Sequence, residues 1–265
     1  MIRKVLFLGA AVLLVGASAA YAFPPIDMTT AGATYTSATD GTIWTQLVNQ
    51  PTGTGVYQPF LRERANGVES GLNTDNTAQQ VYDDVAGIWT HSLTLGQLAT
   101  VTVGSTTYYS FSVDINEPDG GGQNLLSLDE LRIYTAPNGY TSPTSEADVL
   151  ANGGILRYNL DGTIDQDVYM DYDLAAGSGH DDVQVLIPTS FFAGASASDQ
   201  FFFFSKFGDT AGMIADADFT SGDGFEEWHA LLGTTPPPPS LPEPSTVMIL
   251  GTGLLGLAAT RMRKK

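Results

Sequence analysis

The stretch Tyr109-Ser110-Phe111-Ser112-Val113-Asp114-Ile115 decides the fold class. Apolar and polar residues alternate with a period of two, which sends one set of side chains to each face of an extended strand. An amphipathic helix would need apolar residues three as well as four apart, and no two of Tyr109, Phe111, Val113 and Ile115 are three apart. Further along, Val168, Met170, Tyr172 and Leu174 alternate in the same way with Tyr169, Asp171 and Asp173. Residues 98–103, 131–135, 155–160 and 183–187 are further short runs rich in β-branched and aromatic residues. Phe201-Phe202-Phe203-Phe204 is apolar without a break and suits a central strand buried on both faces. Turn-forming strings such as Pro137-Asn138-Gly139, Asn152-Gly153-Gly154 and Asp161-Gly162 punctuate the runs. This spacing predicts an all-β chain folded as a single β-sandwich or jelly-roll-like domain over residues 23–234. Helix is expected only as one or two turns over residues 145–151, with Ser145 as the cap.

Charge narrows the function classes. The 265 residues include 11 Lys plus Arg, 29 Asp plus Glu and no cysteine, for a formal net charge of −18. Without cysteine there is no disulfide framework, no Cys-based zinc site and no thiol catalysis. Residues 23–241 hold only five of the basic residues but 28 of the acids, so this stretch carries about −23. Such a domain repels polyanions and attracts divalent cations, and nucleic acid is not an expected partner.

The two ends read as membrane signals. Arg3 and Lys4 precede an apolar run over residues 5–16, and Ala20 and Ala22 stand at the −3 and −1 positions of a cleavage site. Residues 1–22 are thus an expected signal peptide, with Phe23 as the mature N-terminus. At the other end, residues 235–244 form a proline-rich, extended spacer containing Pro242-Glu243-Pro244. Residues 245–260 are uncharged and read as a short transmembrane helix. Residues 261–265 follow as a basic cytoplasmic tail, in which Arg261, Arg263, Lys264 and Lys265 act as stop-transfer charges. Sixteen residues span roughly 24 Å, short of the roughly 30 Å hydrocarbon core, so snorkelling or local thinning is needed.

This C-terminal arrangement resembles the PEP-CTERM sorting signal, onto which Pro242, Glu243 and Pro244 map residue by residue. The resemblance implies an exosortase-type processing enzyme as partner. It further implies export through the inner membrane of a Gram-negative bacterium, transient anchoring there, and a final place at the cell surface or outside the cell, alongside exopolysaccharide. The strings Asn124 to Leu131, Phe204 to Gly208 and Gly224 to Trp228 are similar to ones in PEP-CTERM proteins of unassigned activity.

Chemistry is sparse in the rest of the sequence. His91, His180 and His229 stand far apart, and no nucleophile elbow, P-loop or dinucleotide-binding glycine turn occurs, so no enzymatic activity is expected. Acidic residues two apart at strand ends are candidate calcium ligands, because calcium takes six to eight hard oxygens. The candidate sets are Asp114 with Asn116, Asp165 with Asp167, and Asp216 and Asp218 with Glu227. Trp44, Trp89 and Trp228 are expected to be packing residues, Trp228 closing the domain before the spacer. The expected role is an exported structural or binding protein of the surface or polysaccharide matrix. The alternatives are a secreted carbohydrate-active enzyme and a calcium-dependent lectin-like module.

Overall fold

A computed structural model describes residues 24–48, 58–78, 80–117, 123–162, 164–177, 179–209 and 219–233. The signal-peptide residues, the proline spacer, the apolar C-terminal stretch, the basic tail, Asp216 and Asp218 lie outside the described residues. Among the described residues, no helix is long and apolar enough to cross a membrane.

In chain order the strands are β1 (Ile26–Asp27), β2 (Thr34–Thr36), β3 (Ile43–Gln46), β4 (Leu61–Glu63), β5 (Asn66–Gly67), β6 (Glu69–Leu72), β7 (Leu93–Thr94) and β8 (Thr100–Val103). They continue as β9 (Thr106–Asp114), β10 (Leu125–Ala136), β11 (Ile155–Asn159), β12 (Val168–Asp171), β13 (Val183–Pro188), β14 (Gln200–Phe207), β15 (Ser221–Gly222) and β16 (Glu226–Ala230). One seven-stranded sheet runs β1-β12-β10-β14-β6, with β11 beside β10 and β7 beside β14. The other runs β2-β3-β13-β9-β16-β4, with β8 beside β9. A small ribbon pairs β5 with β15. Neighbours distant in sequence, such as β9 and β16, show the chain crossing between sheets as a sandwich requires.

The alternation in β9 has its expected consequence. Phe111, Val113 and Ile115 enter the core between the sheets, and Tyr109 packs against it. From the facing sheet Phe201, Phe203 and Phe207 reach the same core. Phe111 stacks on Phe201 with ring centroids 5.4 Å apart, and Phe203 lies 4.6 Å from Trp228. Phe202 and Phe204 point the opposite way, so the outer face of β14 needs its own cover. Leu72, Val81, Tyr134 and Val149 supply it. Val149 comes from the only α-helix described, α1 (Glu146–Ala151), capped by the Ser145 hydroxyl accepting from the Asp148 N–H at 3.1 Å.

Two expectations shift locally. The alternation from Val168 to Leu174 stops being a strand at Asp171, and Tyr172–Leu174 is a 3-10 turn. The Asp171 carboxylate accepts from the Asp173 N–H at 3.0 Å and from Asn124 at 2.8 Å, which bends the chain away from the sheet. The run over 98–103 becomes a strand only from Thr100, because Leu95–Gln97 forms another 3-10 turn.

Truncating a ring at the inter-sheet contact removes packing from both sheets. Phe203→Ala is expected to lower the unfolding free energy of the full chain by about 3–5 kcal/mol. Ile88→Ala, at a side chain 76% exposed, is expected to change it by less than about 0.5 kcal/mol. Denaturant titration of both variants measures the contrast.

Candidate functional site

The sequence-predicted pair Asp165 and Asp167 opens onto a cavity of about 300 Å³ that also takes in Asp129, Asp161 and Asp209. Glu130 and Arg132 complete its rim. Five aspartates from three parts of the chain therefore meet at one basin. The apolar pattern of β10 explains how Asp129 arrives there. Leu126 and Leu128 face the core, and so do Leu131 and Ile133, so the inward parity switches across Asp129 and Glu130. The ladder with β14 shifts register at the same point, between Leu128 and Glu130. A β-bulge of this kind re-aims a side chain, here a carboxylate.

Asp129 Oδ2 accepts from the Asp209 N–H at 2.6 Å, and Asp161 Oδ1 accepts from the Gln166 N–H at 3.1 Å. Asp129 Oδ1 and Asp167 Oδ2 are buried and meet no donor. Burial pushes the Asp129 carboxyl up to about 8. Burial, then the neighbouring charges of Asp165, Asp161 and Asp209, pushes Asp167 up to about 7. Asp161 rises to about 6, again through burial first. Lys206 pairs with Asp209 and, at 3.4 Å, with Glu130, while Arg132 pairs with Glu130 and Glu146, so the cations sit on one flank. Among the described residues no three Asp, Glu or His side chains gather closely enough to hold a metal ion. The basin is an acidic cavity, not a finished coordination shell.

The other predicted sets fare differently. Asn116 turns its amide nitrogen toward Asp114 Oδ1 at 3.2 Å and toward the Phe225 carbonyl at 2.9 Å. Asp114 Oδ2 accepts from the Gly179 N–H at 2.5 Å. That pair braces two loops and does not offer two oxygens to one ion. The Glu227 carboxylate pairs with the Arg62 guanidinium, and Asp216 and Asp218 of the same set lie outside the described residues. Asp182 is buried and accepts from the Ile115 N–H at 2.8 Å.

Beyond the loop at Asp161 and Gly162 lies a second cavity of about 370 Å³, lined by Asp40, Leu156, Arg157, Asn159 and Phe191 among others. Its size is at the small end of the range for small-molecule sites. The half-buried Phe191 ring stands edge-on to Tyr158, with centroids 5.5 Å apart. Arg157 is held in place by donating to Thr135 Oγ1 at 2.7 Å and to the Ala193 carbonyl at 3.1 Å. An apolar ring beside fixed polar groups suits a sugar ring. The tryptophans do not take part. Trp44 and Trp228 are in the core, and the Trp89 ring lies under the Arg62 guanidinium at 3.8 Å.

The raised Asp129 carboxyl makes the folded state bind a proton that the unfolded chain releases above about pH 4. Its contribution to stability is lost as pH rises toward 8. Asp129→Asn cannot lose it. Between pH 5 and pH 8 the stability difference should therefore move in favour of Asp129→Asn by at least about 1.4 kcal/mol, the equivalent of one pKa unit. Denaturant titrations of both proteins at the two pH values measure it.

No curated protein and no solved structure matches the chain. Residues 240–264 match the family model described as the PEP-CTERM protein-sorting motif. The described domain thus precedes a C-terminal segment that matches this sorting motif, and the motif implies export and processing by an exosortase at the membrane.

Proposed function

We propose that this chain is a non-enzymatic surface or matrix protein whose β-sandwich associates with exopolysaccharide after exosortase processing. The observation that carries the reading is the sorting motif over residues 240–264, placed after a proline-rich spacer that sets it apart from the sandwich. The cavity beside Phe191 supports the polysaccharide part, since it offers a ring face and fixed hydrogen-bonding groups. The acidic basin next to it supports a role for calcium as a counter-ion at those carboxylates that stay ionised.

One observation favours the rival enzymatic reading. The basin places Asp129, which holds its proton to about pH 8, in a cavity with further carboxylates, and glycosidases use an acid and a carboxylate. Against it stands the rim, where Lys206 and Arg132 already occupy the flanking acids Asp209, Glu130 and Glu146.

The test is intact-mass analysis of the surface form in exosortase-positive and exosortase-negative cells. The surface form should lack the residues after Pro242-Glu243-Pro244, and replacing the three by alanine should leave the chain full length and membrane-bound. A surface protein that retains Arg261 to Lys265 contradicts the reading. Polysaccharide turnover abolished by Asp129→Asn would instead favour the enzyme.

A further inference from the structure

A second acidic cluster lies inside the sandwich, on residues other than those of the basin. Glu63, Glu69 and Glu226 are 0% exposed and Glu117 is 3% exposed. Glu63 closes β4, Glu69 opens β6, Glu226 opens β16, and Glu117 follows β9. Glu226 and Glu63 are direct partners across the β16–β4 ladder. The space is built for them. A Cβ on Gly71 would come within 2.5 Å of Glu63 Cγ, so glycine on β6 leaves the room that the Glu63 side chain fills.

No cation enters. On β4 the side chains alternate, and Arg62 and Arg64 flank Glu63 but pair with Glu227 and Asp223 instead. The charged or titratable groups that bear on the cluster from the surrounding elements are Asp83 and Asp84, which are also acids. Four ionised carboxylates without a counter-charge are not tenable in a buried space.

The donors available decide which carboxyl is neutral. Glu69 Oε2 accepts from the Ala65 N–H at 2.7 Å, Glu117 Oε2 accepts from the Gly222 N–H at 2.7 Å, and Glu63 Oε1 accepts from the Ser205 hydroxyl. Glu226 has no donor on either oxygen, and Glu69 Oε1 has none. The Glu69 and Glu226 carboxyl groups lie in hydrogen-bond contact with each other. A proton on Glu226 satisfies both at once, with its O–H donating to Glu69 Oε1 and Glu69 staying the charged partner.

We propose that Glu69 and Glu226 share one proton in the folded domain, and that this proton locks β16, the strand that leads toward the sorting tail, to β6 and the facing sheet. Loss of the proton places two adjacent negative charges where β16 begins, beside Glu63 and Glu117. The strand edge then loosens, so the hold on the segment before the tail weakens as pH rises. Burial is the first cause that raises the Glu226 carboxyl, and Glu69 adds to it, in keeping with Glu226 as the proton holder.

The test uses the purified full chain, with chelator present and ionic strength fixed. Glu226→Gln keeps a neutral donor to Glu69 but has no proton to lose. Its thermal midpoint should equal or fall below that of the parent at pH 5 and exceed it at pH 8. In the parent, infrared spectra at pH 7 should contain a protonated-carboxyl band that is weaker in Glu226→Gln. Midpoints that stay parallel across pH overturn the proposal, as does a parent with no protonated-carboxyl band at pH 7. If Glu226→Gln does not fold, Glu69→Gln takes its place, and its curve should be flatter than the parent's on the same criterion. A midpoint at pH 8 that calcium raises in the parent but not in Glu226→Gln also overturns it, because the counter-charge would then be a metal ion.

Discussion

Buried carboxylates that lack cations are the constraint on which this domain depends. Residues 23–241 supply 28 acids and five bases, more acids than the bases can pair with. Among the described residues ten Asp and Glu are buried, and of these Glu227 is the one seen in a salt bridge, with Arg62. An ionised carboxylate moved into a low-dielectric interior is strongly unfavourable unless it is paired or protonated. The fold answers in two ways. Backbone N–H groups at loops and strand ends reach some of the acids, as Gly179 reaches Asp114, Ile115 reaches Asp182 and Gly222 reaches Glu117. Protons serve as well, even at acids that have such a donor: burial pushes Asp182 up to about 9 and Glu117 up to about 8.

The aromatic core and the acids divide the space between them. Phe111, Phe201, Phe203 and Trp228 hold the two sheets together in the middle. The acids collect where strands end or bulge, at Asp114, at Glu226 and at Asp129. Such places have backbone N–H groups free of the ladder and able to meet a carboxylate. A domain whose buried acids hold protons changes its stability with pH.

Much of the architecture was legible in the sequence. The period-two pattern at Tyr109–Ile115 marked an inward face correctly. The four phenylalanines marked a strand buried on both sides, and Ser145 marked the helix that covers one of those sides. The sorting element could be read from residue order alone. The burial of the acids could not. Glu63 shares a strand face with Leu61 and Glu226 with Trp228, but acids at such positions do not by themselves read as buried. Only the placement of β16 between β9 and β4, set by contacts far apart in sequence, turns them inward. The parity switch in Leu126, Leu128, Leu131 and Ile133 was visible, and it marks the bulge that carries Asp129. What it could not disclose is that Asp161, Asp167 and Asp209 arrive at the same place. Asp165 and Asp167 were singled out as a pair, but their partners came from other strands.

The most direct measurement is the number of protons exchanged when the full chain unfolds at pH 7. Calorimetric unfolding in buffers with different heats of ionisation reports it. A folded state that keeps protons on its buried carboxyls must release them when the chain opens to water. The account predicts a net release of more than one proton per molecule. No exchange, or a net uptake, would contradict it, because the buried acids would then be ionised in the fold and balanced by something other than protons.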